Sequence, residues 1–286
     1  MSTNRWTHPL PRLAISCLLL LTISVFAQST PANSSATRII IPNETAEGIS
    51  EANFYPENLL RLALLKTADT DGETYLEYFE ESFGRERLRS LLREGNGIDV
   101  LWSSSTPQRD KDLLPVKFNI MKGLNEYRVL LIREEDKEKF AKIKTLDELR
   151  HLKAGTGVHW SDTLILKTNE LPYTTSWAYE PLFKMLAAKR FDYMARGMQE
   201  IRHELVANKD LHLTTADTVM LHYHQPIYYY VSPKNPQLAD RIMRGLQLAQ
   251  EDGTFDQLFY SVPEHRLASE DIKNNTRIIF DLKSPE

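Results

Sequence analysis

The chain has 286 residues, with 35 Lys or Arg against 39 Asp or Glu, a formal charge of −4. That balance excludes nucleic acid as the main partner, which would need a basic face. The single cysteine, Cys17, excludes an internal disulfide framework.

Residues 1–27 read as a secretory signal peptide. Arg5 and Arg12 give a positive start, 14–26 is almost continuously apolar yet too short to span a bilayer comfortably, and Val25-Phe26-Ala27 offers a cleavage site before Gln28. Cys17 lies too early in the apolar run for a lipid anchor. Cleavage after Ala27 removes it and two arginines, leaving 259 residues at −6. The expected product is a soluble protein exported to the periplasm.

Beyond the leader, strand and helix patterns alternate. "RIII" predicts a strand over 38–41. A helix is expected over 55–66, with Pro56 near its start and Leu59, Leu62 and Leu65 on one face. A second helix, 86–93, places Leu88, Leu91 and Leu92 inward and stops at Gly95. The next strand, 98–102, runs into "SSSTPQRD", where Thr106 and Pro107 supply an N-cap hydroxyl and a first-turn proline. "YRVLLI" predicts a strand over 127–132, and "TLDEL" a short helix with a capping box between Thr145 and Glu148.

The alternation continues with a strand at 153–158, the polar cluster "HWSDT" at 159–163, and a helix to Thr168. A strand at 173–176, a helix at 179–189, a strand at 191–194 and a helix at 198–207 follow. "IYYYV" at 227–231 is the last predicted strand, and a helix from Asn235-Pro236 carries Leu238, Ile242 and Leu246 inward before ending near Gly253. This order predicts an α/β architecture with parallel sheet.

Four segments carry a family resemblance: "GIDVLWSSSTPQR", "LDELRHLKAGTGV", "LFKMLAAKRFDYM" and "NPQLADRIMRGLQLAQEDGTFDQLF". In that order, behind a signal peptide, they resemble the extracytoplasmic solute-binding proteins of the polar amino acid class. The resemblance implies a type II periplasmic binding fold of two α/β lobes joined by two crossing strands, near 127–132 and 218–224. Residues 28–128 and 222–286 would form the first lobe, 129–221 the second, with ligand in the cleft between.

The resemblance also assigns roles. Arg109, in a T-x-x-R segment with Thr106, is expected to grip a ligand carboxylate, as only a guanidinium pairs with one in a bidentate fork; a surface salt bridge is the other possibility. Ser104 stands for a second hydroxyl donor. Trp102, where a small residue is usual, either walls the cleft or packs in the core. In the second lobe Trp160, Ser161 and Asp162 are ligand candidates at a helix start, although Ser161, Asp162 or Thr163 would equally serve as the cap. Family members carry an aspartate for the ligand ammonium near Gly197. Here Arg196 precedes that place and Glu200 follows it, so either an acidic group at Glu200 or a second cation at Arg196 reads the rest of the ligand.

The expected function is that of a binding module closing on a small carboxylate-bearing solute, an amino acid or organic acid, for ABC import or for a membrane sensor. A monomer is expected, with no cofactor and no catalytic residue. The alternative is an exported enzyme on the same fold, such as a cyclohexadienyl-type dehydratase, with Glu200 or His159 as general acid. His222-Tyr223-His224 reads as a structural or hinge pair rather than a metal site, and "GTG" at 155–157 lacks the lysine of a phosphate loop.

Overall fold

The computed structural model describes residues 36–43, 54–81 and 83–285; the signal-peptide assignment and Cys17 lie outside them. The described chain belongs to one compact unit. Its strands are β1 (Thr37–Ile41), β2 (Thr74–Tyr78), β3 (Val100–Ser104), β4 (Leu114–Val116), β5 (Tyr127–Arg133), β6 (Ala154–Gly157), β7 (Tyr173–Ser176), β8 (Met194–Gly197), β9 (Leu213–His222), β10 (Ile227–Val231) and β11 (Ile278–Asp281).

These strands form two groups. In the first, β1 pairs in parallel with β2, and β10 lies antiparallel between β3 and β4. Asp99 joins the halves: its N–H donates to the Ile40 carbonyl at 2.8 Å, and its carboxylate accepts from the Ile40 N–H at 2.7 Å. In the second, β5 lies antiparallel between β8 and β9, β11 adds in parallel to β9, and β6 pairs with β7. The Gly155 N–H donates to the Tyr193 carbonyl at 2.7 Å and ties β6 to the approach of β8.

β5 shows why "VLLI" reads so clearly as a strand. Val129 and Leu131 enter one apolar cluster and Leu130 and Ile132 another, so both faces are buried and the run is apolar throughout. The helix Tyr55–Lys66 packs on the helix Pro236–Glu251, where a Cβ on Gly245 would stand 1.9 Å from the Ala63 carbonyl oxygen. Its buried face is Leu59, Leu60, Ala63 and Leu64, while Leu65 is 71% exposed. That corrects the expected 59–62–65 face: steps of three drift around a helix of 3.6 residues per turn, and alternating steps of three and four hold the stripe.

Boundaries move at β3 and β8, and one further strand closes the chain. β3 extends through Ser103 and Ser104 because both pair with β10. The strand expected at 191–194 starts at Met194 and runs through Arg196 and Gly197 opposite Val129 and Arg128. Phe191 is instead the plug over Gly155, where a Cβ would meet its ring at 2.1 Å, and Asp192 accepts from the Lys153 N–H at 2.8 Å. The final strand, β11, follows helices packed in the first group but pairs with β9, in the second.

Candidate functional site

The carboxyl end of β3 is built by local capping. Thr106 has an extended backbone, and its hydroxyl accepts from the Arg109 N–H at 3.2 Å, which starts the helix Pro107–Asp112 directly after the strand. Asp110 accepts from the Ser105 hydroxyl at 2.7 Å and the Tyr230 hydroxyl at 2.6 Å, fixing the turn to β10. Arg109 is thereby folded back onto the strand end. Its Nη1 donates to the Ser104 carbonyl, and its Nε is buried with no hydrogen-bond partner among the described residues. Burial, then the positive charge of Arg89, push its pKa down to about 10. Tyr230, Glu86 and Asp110 oppose that shift without cancelling it. Trp102, on the neighbouring pleat, is partly buried and packs against the main core while one edge lines a small hollow with Pro42, Arg89 and Ser103.

Between the two groups of strands lies a cleft of about 190 Å³, lined by Ser105, Thr106 and Asp110 from one, Ser161 and Ile165 from the other, and Gln225. Ser161 opens the helix Ser161–Thr168. Neither it, Asp162 nor Thr163 is the cap: Trp160 occupies that position, without a side-chain capping bond, and the Thr163 hydroxyl donates to the Gly157 carbonyl at 2.8 Å. Gly157 is needed for space, since a Cβ would stand 2.4 Å from the Trp160 indole nitrogen.

Trp160 and Arg196 meet. The Arg196 guanidinium lies 4.7 Å from the Trp160 ring centre and 5.7 Å from that of Tyr179. Its Nε sits 2.9 Å from both Glu204 carboxylate oxygens, its Nη2 2.9 Å from Glu200, and the Tyr179 hydroxyl donates to Glu204 at 2.7 Å. Burial alone would lower the Arg196 pKa, but Glu200 and Glu204 hold it well above its ordinary value. Glu200 also accepts from the Gly197 N–H at 3.1 Å. Two carboxylates therefore offset the one guanidinium.

Asp162 is committed elsewhere. It accepts from the Nε of Arg128 at 3.1 Å and from the Tyr223 hydroxyl, while the remaining Arg128 nitrogens donate to Asn125 at 3.0 Å and Gln225 at 2.8 Å. Burial would raise the Asp162 pKa; Arg128 and Tyr223 reverse that and leave it below the usual carboxylate range. This network joins β5, the stretch after β9 and the helix Ser161–Thr168.

The structure thus brings Trp102, Ser104, Thr106 and Arg109 together at one strand end, Trp160, Arg196 and Glu200 in a second cluster, and Ser161 to the cleft opposite Thr106. Sequence reasoning missed Arg128, Tyr179, Glu204 and Arg89. The one available signal was Arg128, a charge inside an apolar strand, which must have a buried partner. His222 pairs with Asp281 at 2.7 Å and His224 with Glu126 at 3.3 Å. Among the described residues no group of three or more His, Cys, Asp or Glu is placed to hold a metal ion, and no described helix is long and apolar enough to cross a membrane.

No family model and no curated protein sequence matches the chain. Solved structures do match. An ancestral arginine-binding protein bound to arginine superposes with a TM-score of 0.55 at 16% identity, over 79% of this chain and 97% of that one. The substrate-binding protein of an amino acid ABC transporter gives 0.55 at 14%, over 79% and 98%. A histidine kinase sensor domain with similarity to periplasmic binding proteins gives 0.55 at 16%, over 79% and 95%. The chain has the periplasmic binding protein-like fold, the α/β architecture shared by these amino acid-binding proteins.

Proposed function

We propose that the protein is an exported solute-binding protein that closes two lobes on a small carboxylate-bearing solute, an amino acid or related organic acid. It then serves either an ABC importer or a membrane sensor; neighbours of this fold include one of each. The observation that carries the reading is Arg109: buried, folded onto the end of β3, and with an Nε that has no hydrogen-bond partner among the described residues. Strand ends of open α/β sheets are where ligands bind, and an ancestral neighbour of this fold holds arginine, which has a carboxylate. Thr106 and Ser161 line the cleft, Ser104 meets Arg109 through its carbonyl, and Trp102 and Trp160 are taken as the apolar walls of the closed site. The lobes are taken as 28–128 with 222–286, and 129–221, with β5 and β9 as the crossings. The test is a thermal-shift and calorimetric screen against amino acids and organic acids, repeated on Arg109→Ala. Removing a buried partner of a ligand charge costs on the order of 2–5 kcal/mol of binding, and Arg109→Lys restores only part of it. A ligand bound equally well by Arg109→Ala overturns the assignment.

A further inference from the structure

Resting on that reading of Arg109, we propose that Arg89 is a second anion contact of the same site, so that the ligand class is dianionic: an acidic amino acid or a dicarboxylate.

Arg89 projects from the helix Arg85–Glu94, whose apolar residues Leu88, Leu91 and Leu92 fix it on β3. The Arg89 side chain is only 15% exposed, against 59% for Glu86, its ion-pair partner one turn away. It lines a hollow with Pro42, Leu101, Trp102 and Ser103, at the carboxyl ends of β1 and β3. Arg109 reaches the next residue of that strand end, the Ser104 carbonyl. Two guanidiniums thus converge on one short stretch of β3. The nearby carboxylate of Asp110 is taken by Ser105 and Tyr230. Glu86, the exposed partner of the pair, is held only weakly by Arg89, so a ligand carboxylate can replace it.

The charge inventory elsewhere points the same way. Arg196, the other arginine in reach of a ligand by sequence, is already offset by Glu200 and Glu204. Arg109 instead feels burial and the like charge of Arg89 more strongly than the opposing Tyr230, Glu86 and Asp110, and a bound carboxylate would add to the opposing side. Each guanidinium forks one carboxylate.

The experiment is calorimetry on the purified protein with L-aspartate, L-glutamate and succinate, each against its mono-amide. Wild type, Arg89→Gln, Arg89→Lys, Glu86→Gln and Arg109→Gln are compared, with folding checked by circular dichroism. Dicarboxylates are expected to bind at least about tenfold tighter than mono-amides. Arg89→Gln should erase that ratio through the dicarboxylate alone, Arg89→Lys should keep part of it, and Glu86→Gln should raise it. Mono-amides bound as tightly as the diacids, or a ratio unchanged in Arg89→Gln and Arg89→Lys, overturns the role of Arg89 while leaving Arg109 standing. Failure of every carboxylate to bind, or full binding by Arg109→Gln, overturns the carboxylate site itself and Arg89 with it.

Discussion

Asp162→Ala separates a structural carboxylate from a ligand-binding one. Arg128 is 4% exposed, and Asp162 is the only carboxylate that bonds to it in the described network. Truncating Asp162 leaves the guanidinium with three neutral acceptors, Tyr223 at 2.9 Å, Asn125 and Gln225. Removing one member of a buried pair costs about 3–5 kcal/mol. The surviving neutral bonds place this case near the lower end, about 3 kcal/mol. That is a large part of the ~5–15 kcal/mol that holds a domain together, and corresponds to a fall in Tm of roughly 6–12 °C. Urea denaturation at pH 7 measures it directly. The pH dependence gives a second check. The folded pKa of Asp162 lies below its unfolded value, so its contribution is complete above about pH 4 and is lost as the pH falls through the folded value. Wild type and variant should therefore converge in acid. The double variant Arg128→Met/Asp162→Leu should recover much of the loss, since an apolar pair can replace a buried ionic one. A variant within about 1 kcal/mol of wild type at pH 7, with its ligand affinity lost instead, refutes the structural role.

Gly245→Ala should destabilise, although alanine favours a helix by about 1 kcal/mol, because its Cβ meets the Ala63 carbonyl at 1.9 Å and forcing the two helices apart costs about 1–3 kcal/mol; thermal melting decides, and a raised Tm refutes it. His265 is buried between Tyr55 and Phe259, ring centres 4.7 and 4.6 Å away, and faces the Phe259 carbonyl and Glu264. Burial pushes its pKa down to about 4, so the unfolded chain takes up its proton first and stability falls from pH 6.5 towards pH 4, by about 3 kcal/mol at most; the fall should be smaller in His265→Met, and equal slopes in urea titrations would remove His265 as its source.

What the sequence disclosed and what it hid divide along a physical line. Local devices were legible: the Thr145–Glu148 capping box, the Thr106 cap before Pro107, and the doubly buried β5 all form as their residues dictate. β2, half exposed and paired with β1, offers no apolar run to read, and β11 depends on a partner nearly sixty residues earlier. β8 was misplaced because the apolar "FDYM" fills space above Gly155 before the ladder begins. Charge was the hardest property to read, because a lone arginine looks alike whether it serves the fold or a ligand. Arg128 finds Asp162 thirty-four residues away and Gln225 ninety-seven away, and Arg196, on β8, finds Glu204 on the helix that follows. Arg89 reads as one more cation on an amphipathic helix until β3 is laid beneath it. A buried guanidinium needs its donors met, by a carboxylate or, as at Arg241, by backbone carbonyls. Arg128 and Arg196 have theirs from the chain. Arg109, also buried, has the Ser104 carbonyl and feels Glu86 and Asp110 as well as Arg89, and the proposed function adds a carboxylate from outside to these partners.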